Sequence, residues 1–433
     1  MGVGLVNATI ILVMLSLSAS WATAAGRRYT VLHYGVRLTL DFEKRSVEGV
    51  ETIRLRSHSG SLTDVELDAD EIAVNSVQLG VSPQAFSQGD GHLTIHLALP
   101  LKPSKSLNVT MRYSGSPTKG LRFSRDEAFT VYATSHWMVV NRDPGDLATL
   151  RLALTVPAGM VVVANGENTS RKTVGSQLIS QWEEKRAIPD FVFGFAVGRF
   201  HQNAMAAGQA EVRCFSAKYS AQQMNQMFRT TPDALAFFSE RAGVPYPAKT
   251  YSQVMVGGKP EQELGEFTLL PESYGETLRA HPEDEWLMAH ELAHQWWGIG
   301  LACGTWGDFW LNEGIATFMA DVWLGERYGA ARYEKEIESA HKIYEGLKET
   351  GKDHALCYAG KAENEVSGRL PYDKGAWVLH LLRQDVGEEV FWHGFRIYTR
   401  THMGQTVSSK DFQNAMEKAA GRSLGKFFEE WVY

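Results

Sequence analysis

Cysteine is scarce: Cys214, Cys303 and Cys357 are the only three in 433 residues. They are too few and too scattered for a disulfide framework, and none has metal-site spacing. At most one bridge can form. Basic charge is also short, with 43 Lys and Arg against 50 Asp and Glu, a net charge of −7 and no basic stripe. That excludes nucleic acid as a partner. Repeats and low-complexity tracts are lacking, and so is any long apolar run after residue 25, so no stable membrane insertion is expected beyond the N-terminal segment. What remains, 44% hydrophobic and 21% charged residues, is the composition of a globular protein, long enough for two or three domains.

Residues 1–25 contain no charged side chain. Val3 to Ser18 is apolar, and Ala22-Thr23-Ala24 offers the small residues of a signal cleavage site. The expectation is a cleaved signal peptide over 1–25 and an exported protein, periplasmic or extracellular. A membrane tether by an uncleaved signal anchor is the alternative.

From Arg28 to Gly198 the period is two. Val36, Leu38, Leu40 and Phe42 alternate with polar or small residues, as do Leu93, Ile95, Leu97 and Leu99, and Leu150, Leu152, Leu154 and Val156. Half-buried antiparallel strands follow from that pattern, forming a β-sandwich or saddle over 26–200 that ends with a strand at Asp190 to Phe200. Beyond it, the period becomes helical over 201–433. Thr231 is placed to cap a helix ending at Gly243, with strands expected at Val212 to Phe215 and Tyr251 to Val256. Further helices are read at Pro282 to Trp297, Glu313 to Tyr328, Ala376 to Val386 and Ser409 to Ala420, the last capped by Ser409. The fold class is multidomain α+β, a β domain followed by a mostly helical one.

The chemistry concentrates in Trp286 to Ala316, WLMAHELAHQWWGIGLACGTWGDFWLNEGIA. His290 and His294 are four apart, so a helix presents both imidazoles to one ion. Glu291 lies about 100° round from His290, near enough to act on a water beside the metal. Eighteen residues separate His294 from Glu313, where a second helix can supply a third ligand. Two His and one carboxylate leave one position of a tetrahedral zinc open, the layout of a catalytic site.

HELAHQWWG followed by WLNEGIAT closely resembles the aminopeptidase N family of zinc metallopeptidases, gluzincins with a thermolysin-like catalytic domain. The resemblance implies one Zn2+ ion on His290, His294 and Glu313, with Glu291 as general base to a zinc-activated water. Pro371-Tyr372-Asp373-Lys374-Gly375 looks like the family's Y-x-K-G segment, which makes Tyr372 the donor that stabilises the oxyanion. Family members hold the substrate's free amine with the Glu of a G-x-M-E-N segment. Here the matching stretch, Gly257 to Gly265, is altered and lengthened. Glu261 fills the amine-binding slot counted from the glycines; counted back from Gly265, Gln262 fills it and Glu263 takes the Asn position. A second departure is in the β domain, where Ser135 or His136 falls near the family's other amine contact. His136 also fits a satisfied core histidine.

Together these imply hydrolysis of peptide substrates, with removal of N-terminal residues as the first reading. A zinc peptidase of another specificity is the second. A non-catalytic peptide-binding module that kept the fold is the third, and the intact donor set argues against it. The helical C-terminal domain of larger relatives is expected to be absent, leaving an open cleft or one covered by a partner chain.

Overall fold

In this computed structural model, residues 28–58, 60–358 and 368–433 are described. The segment read as a signal peptide lies outside them. The alternating stretches do form strands. An eight-stranded sheet takes strands 167–174, 177–189, 147–157, 29–41, 46–57, 106–115, 72–79 and 82–83 in that spatial order. Its apolar face packs on a three-stranded sheet of Leu62–Asp68, His92–Leu101 and Ala85–Gly89, burying Val36, Leu38, Leu154, Leu67 and Ile95 between them. One pairing departs from the antiparallel expectation: Tyr29–Asp41 runs parallel to Leu147–Pro157, with Leu38 opposite Leu154. Such a pair needs a long crossover, which the intervening hairpins provide. The alternation also overruns at one end, because Leu99 is 83% exposed beyond the edge of the core.

A four-stranded sheet, Val161–Ala164, Phe195–Gly198, Glu127–Val131 and Gly120–Phe123, links the β domain to the rest. The strand expected over Asp190 to Phe200 is shorter, since Asp190–Val192 forms a single helical turn before Phe195–Gly198. Phe129, Val163 and Ala196 of this sheet share a core with Phe215, Val254 and Leu269 of the next. That next sheet has five strands: His201–Ala207, Ala210–Ser216, Thr250–Val256, Phe267–Pro271 and Gln262–Leu264.

Helices cover the remainder, and several bounds differ from the expected ones. The histidine helix is Trp286–Ala293, with His294 still helical at its end (φ −57°, ψ −22°), so both imidazoles keep one face. Gly298, at φ 127°, turns the chain out of it. The Glu313 helix starts earlier, at Trp310–Tyr328, and the Tyr372 helix is Leu370–Val386 with Pro371 in its first turn. Caps fall one residue earlier than read: Thr230 precedes Thr231–Ala242 without a side-chain bond, and Ser408, not Ser409, caps Ser409–Ala420 in a reciprocal box with Asp411. Helices Glu272–Ala280, Ala330–Glu349 and Glu388–His402 were not expected. The second buries only Ile337, Ala340 and Tyr344, a stripe too thin to stand out among its charges. Among the described residues, no helix is long and apolar enough to cross a membrane.

Candidate metal centre

The histidine helix and the Glu313 helix pack so that three donors converge. His290 Nε2 lies 3.1 Å from His294 Nε2, and Glu313 Oε2 is 3.4 Å and 3.5 Å from the two nitrogens. Among the described residues this is the one His/Cys/Asp/Glu group with metal-holding geometry. Each imidazole is fixed by its other nitrogen. His294 Nδ1 donates to the Trp297 carbonyl at 3.1 Å, which turns Nε2 to the centre, and His290 Nδ1 faces Thr317 Oγ1 at 3.5 Å. His290 is also stacked between Trp286 and Tyr372, at ring distances of 4.8 Å and 5.9 Å.

The electrostatics fit a cation at this point. Burial pulls His290 down to about 4, so its imidazole is neutral, as a ligand must be. Burial also opposes charge on His294, but the carboxylates of Glu313, Glu263 and Glu291 outweigh it and raise that group to about 10. Burial pushes Glu313 up, and the two histidines overcome this to bring it to about 2, leaving an ionised third donor. The pocket therefore stabilises positive charge where two imidazoles and a carboxylate meet, and that donor set suits zinc.

Glu291 sits beside the donors, its Oε2 3.4 Å from Thr268 Oγ1. Burial, then Glu263 and Glu313 against the pull of His294, raises its pKa well above the ordinary carboxyl range. Tyr372 comes from the third helix, and burial followed by Glu313 keeps its hydroxyl protonated far above its usual range. Lys374 holds that helix start, its buried Nζ donating to Asp353 Oδ1 at 2.7 Å and the His354 carbonyl at 2.6 Å.

The three candidate amine contacts separate. Glu263 is buried and near the donors, raised to about 7 by burial and by Glu313 against His294. Glu261 is half-buried at the same side, and burial raises it too. Gln262 points the other way: its Oε1 accepts the Tyr132 N–H at 2.8 Å, and its Nε2 reaches the Phe191 carbonyl at 3.4 Å. Ser135 and His136, the β-domain candidates, are buried away from the cleft. Ser135 Oγ donates to Asp70, and His136 Nδ1 lies 3.0 Å from Glu71. His136 is thus a buried histidine beside Glu71.

Sequence reading overlooked Gln295, next to His294 and fully buried. Its Nε2 donates to the Leu264 carbonyl at 2.9 Å and its Oε1 accepts the Glu266 N–H at 3.0 Å. It therefore ties the histidine helix to the turn after Gln262–Leu264. Its place inside the HELAHQWWG motif was the available signal.

A β domain leading into a sheet-and-helix unit that carries an HExxH…E donor set is the arrangement that the resemblance to zinc metallopeptidases implies. Residues 226–431 match the Peptidase family M1 domain. "Probable aminopeptidase 1" of Saccharolobus solfataricus is 24% identical over 420 residues, covering 91% of this chain and 52% of that protein. "Aminopeptidase M1" of Arabidopsis thaliana is 24% identical over 304 residues, covering 67% of this chain and 34% of the relative. The chain thus spans about half the length of these curated relatives, or less. In fold, an M1 zinc metallopeptidase from Deinococcus radiodurans superposes with a TM-score of 0.79 at 22% identity, covering 94% of both chains.

Proposed function

We propose that this protein hydrolyses the first peptide bond of peptides with a free N-terminus. The observation that carries the reading is the convergence of His290, His294 and Glu313 with Glu291 beside them, Glu263 on the adjoining strand and Glu261 just before it. When bound, zinc supplies Lewis acidity and makes water a nucleophile near neutral pH. Glu291 accepts the proton of the attacking water as the new C–O bond forms. It returns that proton to the nitrogen as the C–N bond breaks. The Tyr372 hydroxyl donates to the oxyanion that develops on the former carbonyl oxygen. Glu261 and Glu263 hold the substrate ammonium, where low dielectric strengthens the pairing.

Gln262, turned from the cleft where the family's amine-binding Glu is expected, favours a second reading in which the amine is not required. One experiment separates the two: hydrolysis of a short peptide and its N-acetylated twin, each with and without chelator. Cleavage of the free-amine peptide alone, abolished by chelator, supports the aminopeptidase. Equal cleavage of both supports the second reading. We also propose export through residues 1–25, checked by N-terminal sequencing of the mature protein outside the cytoplasm.

A further inference from the structure

The β domain reaches the metal centre through a loop of unusual backbone. Tyr132 and Ala133 are consecutive non-glycine residues at φ 46° and 42°. Side-chain-bearing residues adopt that region at a conformational cost, which surrounding structure must impose. From below, the loop rests on Gly120, where a Cβ would lie 2.3 Å from the Ala133 carbonyl oxygen. Thr134 Oγ1 donates to the Asp190 carbonyl at 3.1 Å, and His136 is paired with Glu71.

From above, Tyr132 holds the segment next to the metal at two points. Its N–H donates to Gln262 Oε1 at 2.8 Å, and its hydroxyl donates to the Glu261 carbonyl. The β-domain residue Glu127 takes the other end, accepting the Gly257 N–H at 2.8 Å. With Gln262 drawn to the β domain, the period of two in an extended chain sends Glu261 and Glu263 to the opposite face, towards the metal. Tyr132 is still 40% exposed, and its hydroxyl feels Glu263, Glu291 and Glu313.

We propose that Tyr132 and Gln262 form a clamp that determines selectivity for unblocked peptide N-termini. Gln262 is a positioning residue that never touches the amine. Tyr132 walls the end of the cleft where a group preceding the substrate's N-terminus would have to lie, and its ring offers the ammonium a cation-binding face. The inference rests on the aminopeptidase reading, and the wild-type result with the peptide pair judges that reading by itself.

The test measures kcat and KM for the same free and N-acetylated peptides in Gln262→Leu, Gln262→Glu, Tyr132→Phe and Tyr132→Ala, with metal content and Tm recorded. Gln262→Leu cannot accept the Tyr132 N–H. It and Tyr132→Ala are expected to lower the free-to-acetylated ratio of kcat/KM at least about tenfold, mainly through KM, with stoichiometric metal. Gln262→Glu still accepts that N–H and is expected to keep the wild-type ratio. Tyr132→Phe, the mildest change, should raise KM for the free peptide alone. An unchanged ratio in metal-loaded Gln262→Leu and Tyr132→Ala overturns the clamp, as does a proportional loss on both peptides. A large fall in KM for the free peptide in Gln262→Glu would show that this side chain meets the amine, and would overturn its role as a brace.

Discussion

Gly314 and Gly375 meet backbone to backbone: a Cβ on Gly375 would lie 2.7 Å from the Gly314 Cα, and one on Gly314 would lie 2.8 Å from the Gly375 Cα. Each follows a motif residue, Glu313 in Asn-Glu-Gly and Lys374 in Tyr-Asp-Lys-Gly. The contact is what brings Glu313 and Tyr372, from two helices, to the same two histidines.

Replacing either glycine by alanine should therefore part the helices. Overpacking of this kind costs about 1–3 kcal/mol, offset by the roughly 1 kcal/mol of helix propensity that alanine adds. Stability should fall modestly, and kcat/KM on the order of 10²-fold, because the reacting groups shift by a fraction of an ångström to an ångström. Thermal unfolding and steady-state kinetics on the same preparation check both parts.

Glu291→Gln should retain metal and lose turnover. The amide cannot take a proton, so kcat should drop roughly 10²- to 10⁴-fold, the range for a lost general base. Glu313→Ala should instead lose the metal, because it removes the ionised donor. Metal analysis beside kcat distinguishes the two variants; a metal-free Glu291→Gln would contradict the assignment.

Tyr372→Phe removes only a hydroxyl, and the ring can keep its stack on His290. With the oxyanion donor gone, kcat should fall about 10²- to 10³-fold while KM changes little. A change confined to KM would assign the hydroxyl to substrate binding.

Stability should depend on pH through Glu51, buried in the β domain far from the chemistry of the two motifs. Its Oε2 accepts the Val139 N–H at 2.9 Å, and burial raises its pKa to about 8. The folded state binds this proton more tightly than the unfolded chain, so the penalty grows as pH rises from the ordinary carboxyl value towards 8. Glu51→Gln keeps an acceptor without the charge. Its stability relative to wild type should increase between pH 5 and pH 7, by at most about 3 kcal/mol at 1.36 kcal/mol per unit. Denaturant unfolding at the two pH values measures it; a difference independent of pH would mean that Glu51 titrates normally.

Much of the metal centre was legible because its rules are local. The four-residue spacing of His290 and His294 places both on one helical face wherever that helix packs, and alternation along the strands reports which face is buried. Glu313 and Tyr372 lie beyond such rules, and only their motifs marked them. Helix ends were misjudged by a few residues because the Glu313 and Tyr372 helices begin in segments whose apolar residues serve neighbouring elements. The amine side was least legible. Glu261, Gln262 and Glu263 are adjacent acceptor-bearing side chains, and spacing alone left all three open.

Sequence by itself determined the donor set and the division into strand-rich and helix-rich parts. Tertiary structure alone decided that Gln262 faces Tyr132 while Glu263 lies near His294 and Glu313, and that Ser135 and His136 pair with Asp70 and Glu71. The physical reason is that these outcomes hang on one hydrogen bond between residues 130 positions apart and on a strained loop. Neither leaves a periodicity in the chain.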